Sequence, residues 1–170
     1  MNRYFQYFLL FLIFVTISCN TGLSPEPETR KAGFGGKITF IGNWPDSVTQ
    51  THIVLFKDPL LLPQDFNAFN LKFVSDSINS GTTEFIYNSI DKKLFPANSD
   101  VEPGEYAYLA VAQSTAPSLS LLRKDWAVAG VYYTAGDSTR PGRLIIPQNT
   151  FVDSVNIICD FNNPPPQPPK

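Results

Sequence analysis

The chain of 170 residues is poor in the groups that most chemistry needs: one His, two Cys, one Met, and only 16% charged residues. With one histidine, any Ser–His–acid scheme has to use His52. That residue sits in an apolar strand-like run, and no glycine-elbow serine occurs in the chain. A partly buried or edge histidine is therefore expected. Two cysteines and one histidine cannot supply the usual zinc ligand set. The loop acids Asp100, Glu102, Asp137, Asp153 and Asp160 do not fall in the spacing of a calcium loop. No metal and no cofactor is expected. A formal charge of -2 with no basic cluster argues against a nucleic-acid partner. Gly33-Phe34-Gly35-Gly36 lacks the Lys-Ser/Thr of a phosphate loop and reads as a hinge.

No apolar run reaches the roughly 20 residues that a membrane-spanning helix requires. Residues 7–17 are almost wholly apolar, follow the positive start Met1-Asn2-Arg3, and fit the apolar core of an export signal. Ser18 then precedes Cys19, and a polar stretch follows. This arrangement resembles a bacterial lipoprotein signal, with Thr16 departing from the leucine usual three residues before the cysteine. The resemblance implies a signal peptide over 1–18, a diacylglycerol and palmitate anchor on Cys19, and membrane attachment through that lipid. Asn20, in place of an aspartate, implies the outer membrane of a bacterial cell envelope. Cys159 then has no disulfide partner. Residues 155, 157, 159 and 161 share one strand face, so a buried, inert thiol is expected.

The organisation that follows is a tether over 19–33, a body over 34–163 and a proline-rich tail over 164–170. Pro25 and Pro27 with four charged neighbours keep the tether extended and solvated. Pro164-Pro165-Pro166-Gln167-Pro168-Pro169 favours a polyproline conformation and reads as a plain terminal extension. The body contains about eight strand candidates: 37–41, 51–57, 71–75, 83–87, 105–112, 126–133, 143–146 and 151–161. Residues 59–69 and 118–124 lack alternation and suit short helical or irregular crossovers. The expected fold is all-β, an antiparallel β-sandwich of about 7–8 strands, with a closed barrel as the alternative.

Pro103-Gly104 leads directly into the aromatic run Glu105-Tyr106-Ala107-Tyr108, and predicts a type II turn. This resembles the Pro-Gly-x-Tyr hairpin of prealbumin-like, carboxypeptidase regulatory-like (Ig-like) modules. Gly36-Lys37-Ile38-Thr39-Phe40 and Val54-Leu55-Phe56 resemble their first two strands. The likeness covers about 35–112 and implies fold alone.

Aromatic residues are the one class abundant enough to carry recognition. Trp44, in Asn43-Trp44-Pro45-Asp46, is expected in a loop at one end of the sandwich. Tyr132 and Tyr133 should face opposite sides, one of them outward. The candidate ligand-binding residues are thus Trp44, Tyr132 and Tyr133, with core filling as the competing role for Trp44 and Trp126. The reading is a non-catalytic, lipid-anchored envelope module, structural or binding, whose partner is a glycan or an envelope protein. The alternative is a carbohydrate-binding module.

Overall fold

The computed structural model describes residues 31–91 and 93–170. The signal segment, Cys19 and most of the tether lie outside the described residues. The body is nearly all β, built from β1 (Gly33–Ile41), β2 (Gln50–Phe56), β3 (Leu71–Ser75), β4 (Glu84–Asn88), β5 (Lys93–Phe95), β6 (Gly104–Tyr106), β7 (Tyr108–Ser114), β8 (Trp126–Val131), β9 (Leu144–Ile146), β10 (Phe151–Val152) and β11 (Ile157–Asp160). Two crossovers, 59–69 and 118–124, contain single 3-10 turns at Pro63–Asp65 and Arg123–Asp125, in keeping with their lack of alternation.

Nine strands form one mixed sheet in the order β10-β1-β11-β8-β7-β2-β3-β5, with β4 also on β1; β6 and β9 pair separately. Most pairs are antiparallel as expected, but β1 runs parallel to both β10 and β11. The sheet curls until β1 and β3 meet across the core, where the Phe34 and Phe73 rings make an edge contact at 5.2 Å. Alternation then divides the side chains. Ile53, Leu55, Leu109, Val111, Ile157 and Cys159 fill the inside. Phe56, Tyr108, Ala110, Val128 and Val131 form a second cluster on the outer face, covered by Leu60 and Phe66.

Four expectations need correction. Gly33-Phe34-Gly35-Gly36 is part of β1, with Phe34 fully buried, and is not a hinge. Its glycines are small because other groups lie against them. The Phe151 ring covers Gly33 and Gly35, and the Val155 backbone crosses Gly36. The run 151–161 is two strands, because residues 153–156 leave the ladder and Ser154 takes a positive φ of 62°. Val155 N–H still reaches Gly35 O at 3.0 Å, and Lys37 N–H reaches the Asn156 side chain at 2.8 Å. Residues 105–112 are likewise two strands, since Ala107 N–H turns aside to Lys57 O. Gly104 has φ 153° and opens β6, which is not the type II turn that Pro103-Gly104 predicts.

The tail is extended as its prolines require, but it lies against the body. The outward N–H of Val128 donates to Gln167 Oε1 at 2.7 Å, and Gln167 Nε2 donates to Val128 O at 2.8 Å. Prolines offer no N–H to a strand edge. Gln167, the one other residue between Pro164 and Pro169, supplies both a donor and an acceptor from its side chain. Arg123 completes the cover by donating to Trp126 O and, at 2.7 Å, to Pro168 O.

Candidate functional site

Each of the three aromatic candidates has a defined place. Trp44 is half-buried, with its ring 4.6 Å from Phe40 and 5.2 Å from Phe161. Its Nε1–H donates to Thr82 O at 3.0 Å. Its face and its one polar group are thus largely engaged in closing the end of the core. Tyr132 and Tyr133 do point to opposite sides, just beyond the end of β8. Tyr132 packs against the inner core, and its backbone is fixed between Leu109 O and Gly142 N–H. Tyr133 joins the outer cluster beside Phe56, Tyr108 and Val131. The structure does not bring Trp44 and Tyr133 into one site.

Tyr133 lines a cleft of about 940 Å³ on the outer face, between residues 59–61, the 134–143 loop and the tail. Tyr108 and Val131 are among its apolar residues; Pro59, Pro141, Pro166 and Pro168 are spread around it. A second depression, of about 790 Å³, lies on the other side of Tyr133 toward Ile158 and Asn163. The tail prolines are therefore part of the cleft wall.

The charged rim is balanced. Arg140 pairs with Asp137 at 3.1 Å and Arg143 with Glu105 at 3.6 Å, both highly exposed. The Thr139 hydroxyl and amide, together with Arg140, hold Asp137 below the usual carboxylate range. Exposed pairs of this kind contribute little stability and leave their charges free to exchange partners. The arrangement offers aromatic and proline faces with hydrogen-bonding groups at the edge, which suits binding by stacking.

The two groups with nucleophilic or basic chemistry lie elsewhere. Cys159 is fully buried, with its thiol pushed up to about 12 by burial alone. That agrees with the inert core thiol its strand parity predicts. His52 is also buried, more completely than an edge position would allow. Its Nδ1–H donates to Ser75 O at 2.9 Å and its ring meets Trp126 edge-on at 6.0 Å, while Nε2 has no hydrogen-bond partner. Among the described residues no group of three His, Cys, Asp or Glu side chains is gathered to hold a metal ion.

Burial pulls the His52 pKa below its ordinary value, against the opposing pull of the Ser75 carbonyl and of Asp76. The unfolded chain therefore binds this proton more readily than the folded one. Stability is complete above about pH 6.5 and declines as pH falls from there toward the folded pKa. A loss of stability between pH 7 and 5.5 is therefore expected in urea titrations. The same titration on His52→Gln should be flatter. An unchanged slope would remove His52 as the cause.

Tyr108, Arg140 and Arg143 were not legible as site residues. Tyr108 shares its parity with Tyr106 in sequence, so the break at Ala107 that sends them to different faces is hidden. Arg140-Pro141-Gly142-Arg143 was the available signal, two arginines flanking a turn in a chain with few basic residues. The chain matches no protein-family model, no curated protein and no solved structure.

Proposed function

We propose that this chain is a non-catalytic lipoprotein of the bacterial cell envelope, anchored through Cys19, whose β body is a binding accessory module. The observation that carries the binding role is the Tyr133 cleft, with apolar walls and a rim of exchangeable ion pairs. The anchoring role is supported by the signal-like segment ending at Ser18-Cys19. We assign the body to the β-sandwich class and to the prealbumin-like group within it. The contact of β1 with β3 across one core supports the first assignment, and the likeness of residues 36–40 and 54–56 to the first two strands supports the second.

The anchor is tested by Cys19→Ala. Metabolic labelling with palmitate should be lost, and the protein should leave the membrane fraction. Retention of both label and fractionation would sink the lipoprotein reading.

A second reading, capture of a surface glycan, is favoured by the exposed polar rim beside an aromatic face. Its expected carrier is Tyr133, in preference to Trp44, whose indole N–H is already committed. On a panel of envelope and plant oligosaccharides, Tyr133→Ala should weaken binding about tenfold, or about 1.4 kcal/mol. Trp44→Phe should leave it unchanged. Glycan binding indifferent to Tyr133 would exclude the cleft as the site.

A further inference from the structure

We propose that the end of the body bearing Leu61, Leu62 and Phe69 docks onto the lipid bilayer. The inference rests on the lipid-anchor reading of Cys19 and specifies which end of the body meets the membrane.

The three side chains belong to the segment joining β2 to β3 and are 71%, 53% and 91% exposed. Their neighbours Leu60 and Phe66 turn the other way, onto the outer-face cluster. The segment is rigidly built. The Asp65 carboxylate accepts the N–H groups of Leu61 and Leu62 at 2.9 and 2.8 Å, and Asn67 Oδ1 accepts those of Phe69 and Asn70 at 2.9 and 3.0 Å. The Asn70 side chain ties the start of the segment by accepting Asp58 N–H at 2.7 Å. A defined backbone thus holds three large apolar groups out in water within one short segment.

Strand direction places this segment relative to the anchor. β1 is parallel to β11, β11 antiparallel to β8, β8 to β7, and β7 to β2. β1 and β2 therefore run in opposite directions, and the end of β2 lies where β1 begins. The chain enters the body at that end, through Lys31, which reaches Asp100 at 3.5 Å. About a dozen residues separate Lys31 from Cys19, and even fully extended they span only about 40 Å. A diacylglycerol on Cys19 thus keeps this end of the body within about 40 Å of the bilayer, in reach of contact. Protruding leucine and phenylalanine side chains suit the boundary between headgroups and acyl chains, where apolar area is buried without a complementary groove.

The test uses the lipidated full chain in vesicles of phosphatidylethanolamine and phosphatidylglycerol. Phe69→Cys carries a bimane probe, and Ser80→Cys carries it at the opposite end, where Ile78 N–H bonds Thr51 O at the start of β2. Cys159 is buried and does not take the label. Quenching by doxyl lipids should be about threefold greater at position 69 than at 80. Replacing Leu61 and Leu62 by Asp should abolish the difference while the protein still floats with the vesicles. Equal quenching at 69 and 80 in protein that floats would overturn the docking and leave the anchor standing. Lipidated chain that fails to float would sink both. A concentration-dependent blue shift at position 69 without lipid would assign the surface to a second copy and overturn the lipid reading.

Discussion

Gly36→Ala is expected to destabilise the body by about 3 kcal/mol or more, read as a lower urea midpoint and a melting temperature lower by about 10 °C. A Cβ at this position would lie 2.4 Å from Val155 O, 2.6 Å from Val155 C and 2.8 Å from Val155 N. All three are backbone atoms, so no rotamer change relieves the contact. Val155 has nowhere to go, because its side chain is buried in the core and its N–H is held by Gly35 O. Its carbonyl accepts the Tyr87 hydroxyl at 2.6 Å. Displacing it would release a buried hydrogen bond at a cost of about 1–3 kcal/mol, on top of overpacking of similar size. Gly81→Ala is the control. It has a positive φ of 83° and nothing near the added Cβ, so its expected cost is only about 1 kcal/mol. Equal losses at the two glycines would refute the packing account of β1.

Removing the tail after Asn163 is expected to cost about 3 kcal/mol and to make the protein associate. The truncation strips both Gln167 bonds from Val128 and leaves Arg123 without its Pro168 partner, although its bond to Trp126 O remains. Each lost bond to a buried group counts for about 1 kcal/mol, and somewhat more where charge is involved. It also uncovers the N–H and C=O of Val128, because β11 pairs with β8 only at Ile158 and Val131. An open strand edge of this kind invites pairing with another chain. Sedimentation should therefore show concentration-dependent dimers of the truncated protein, and Gln167→Ala should reproduce about half of the stability loss. A truncated protein that is monomeric and as stable as the full chain would show the tail to be a passive extension.

The strands were legible where alternation is clean and the ladder regular. β1 to β4, β7, β8 and β9 fall within or close to the runs that their Val, Ile, Phe and Tyr content predicts. β5 was not legible, because Lys93-Leu94-Phe95 lacks the β-branched residues that mark the equally short β9. The breaks at Ala107 and at residues 153–156 were hidden for a different reason. Each is imposed by a partner distant in sequence, Lys57 in one case and Gly35 in the other. Local pattern carries no record of such contacts. The glycine run suffered most: three glycines that look permissive in isolation are small because Phe151 and Val155 lie against them. For the candidate site, the opposite orientation of Tyr132 and Tyr133 followed from strand parity. The cleft itself did not, since its walls are two connecting segments and the tail. Trp44 looked like a loop platform because its partners Phe40, Thr82 and Phe161 are spread along most of the chain.

The parallel pairing of β1 with β10 and β11 has a consequence for when the molecule can form. The first strand of the body pairs with β4 at residues 84–88 but takes its parallel neighbours from residues 151–160, so the curled sheet cannot close until nearly the whole chain is available. Contacts so distant in sequence bear their loop-closure cost late and fold slowly. During synthesis from the N-terminus, β1 can pair with β4 but must wait for both of its parallel neighbours. The order of emergence thus keeps one side of β1 open until the last strand arrives.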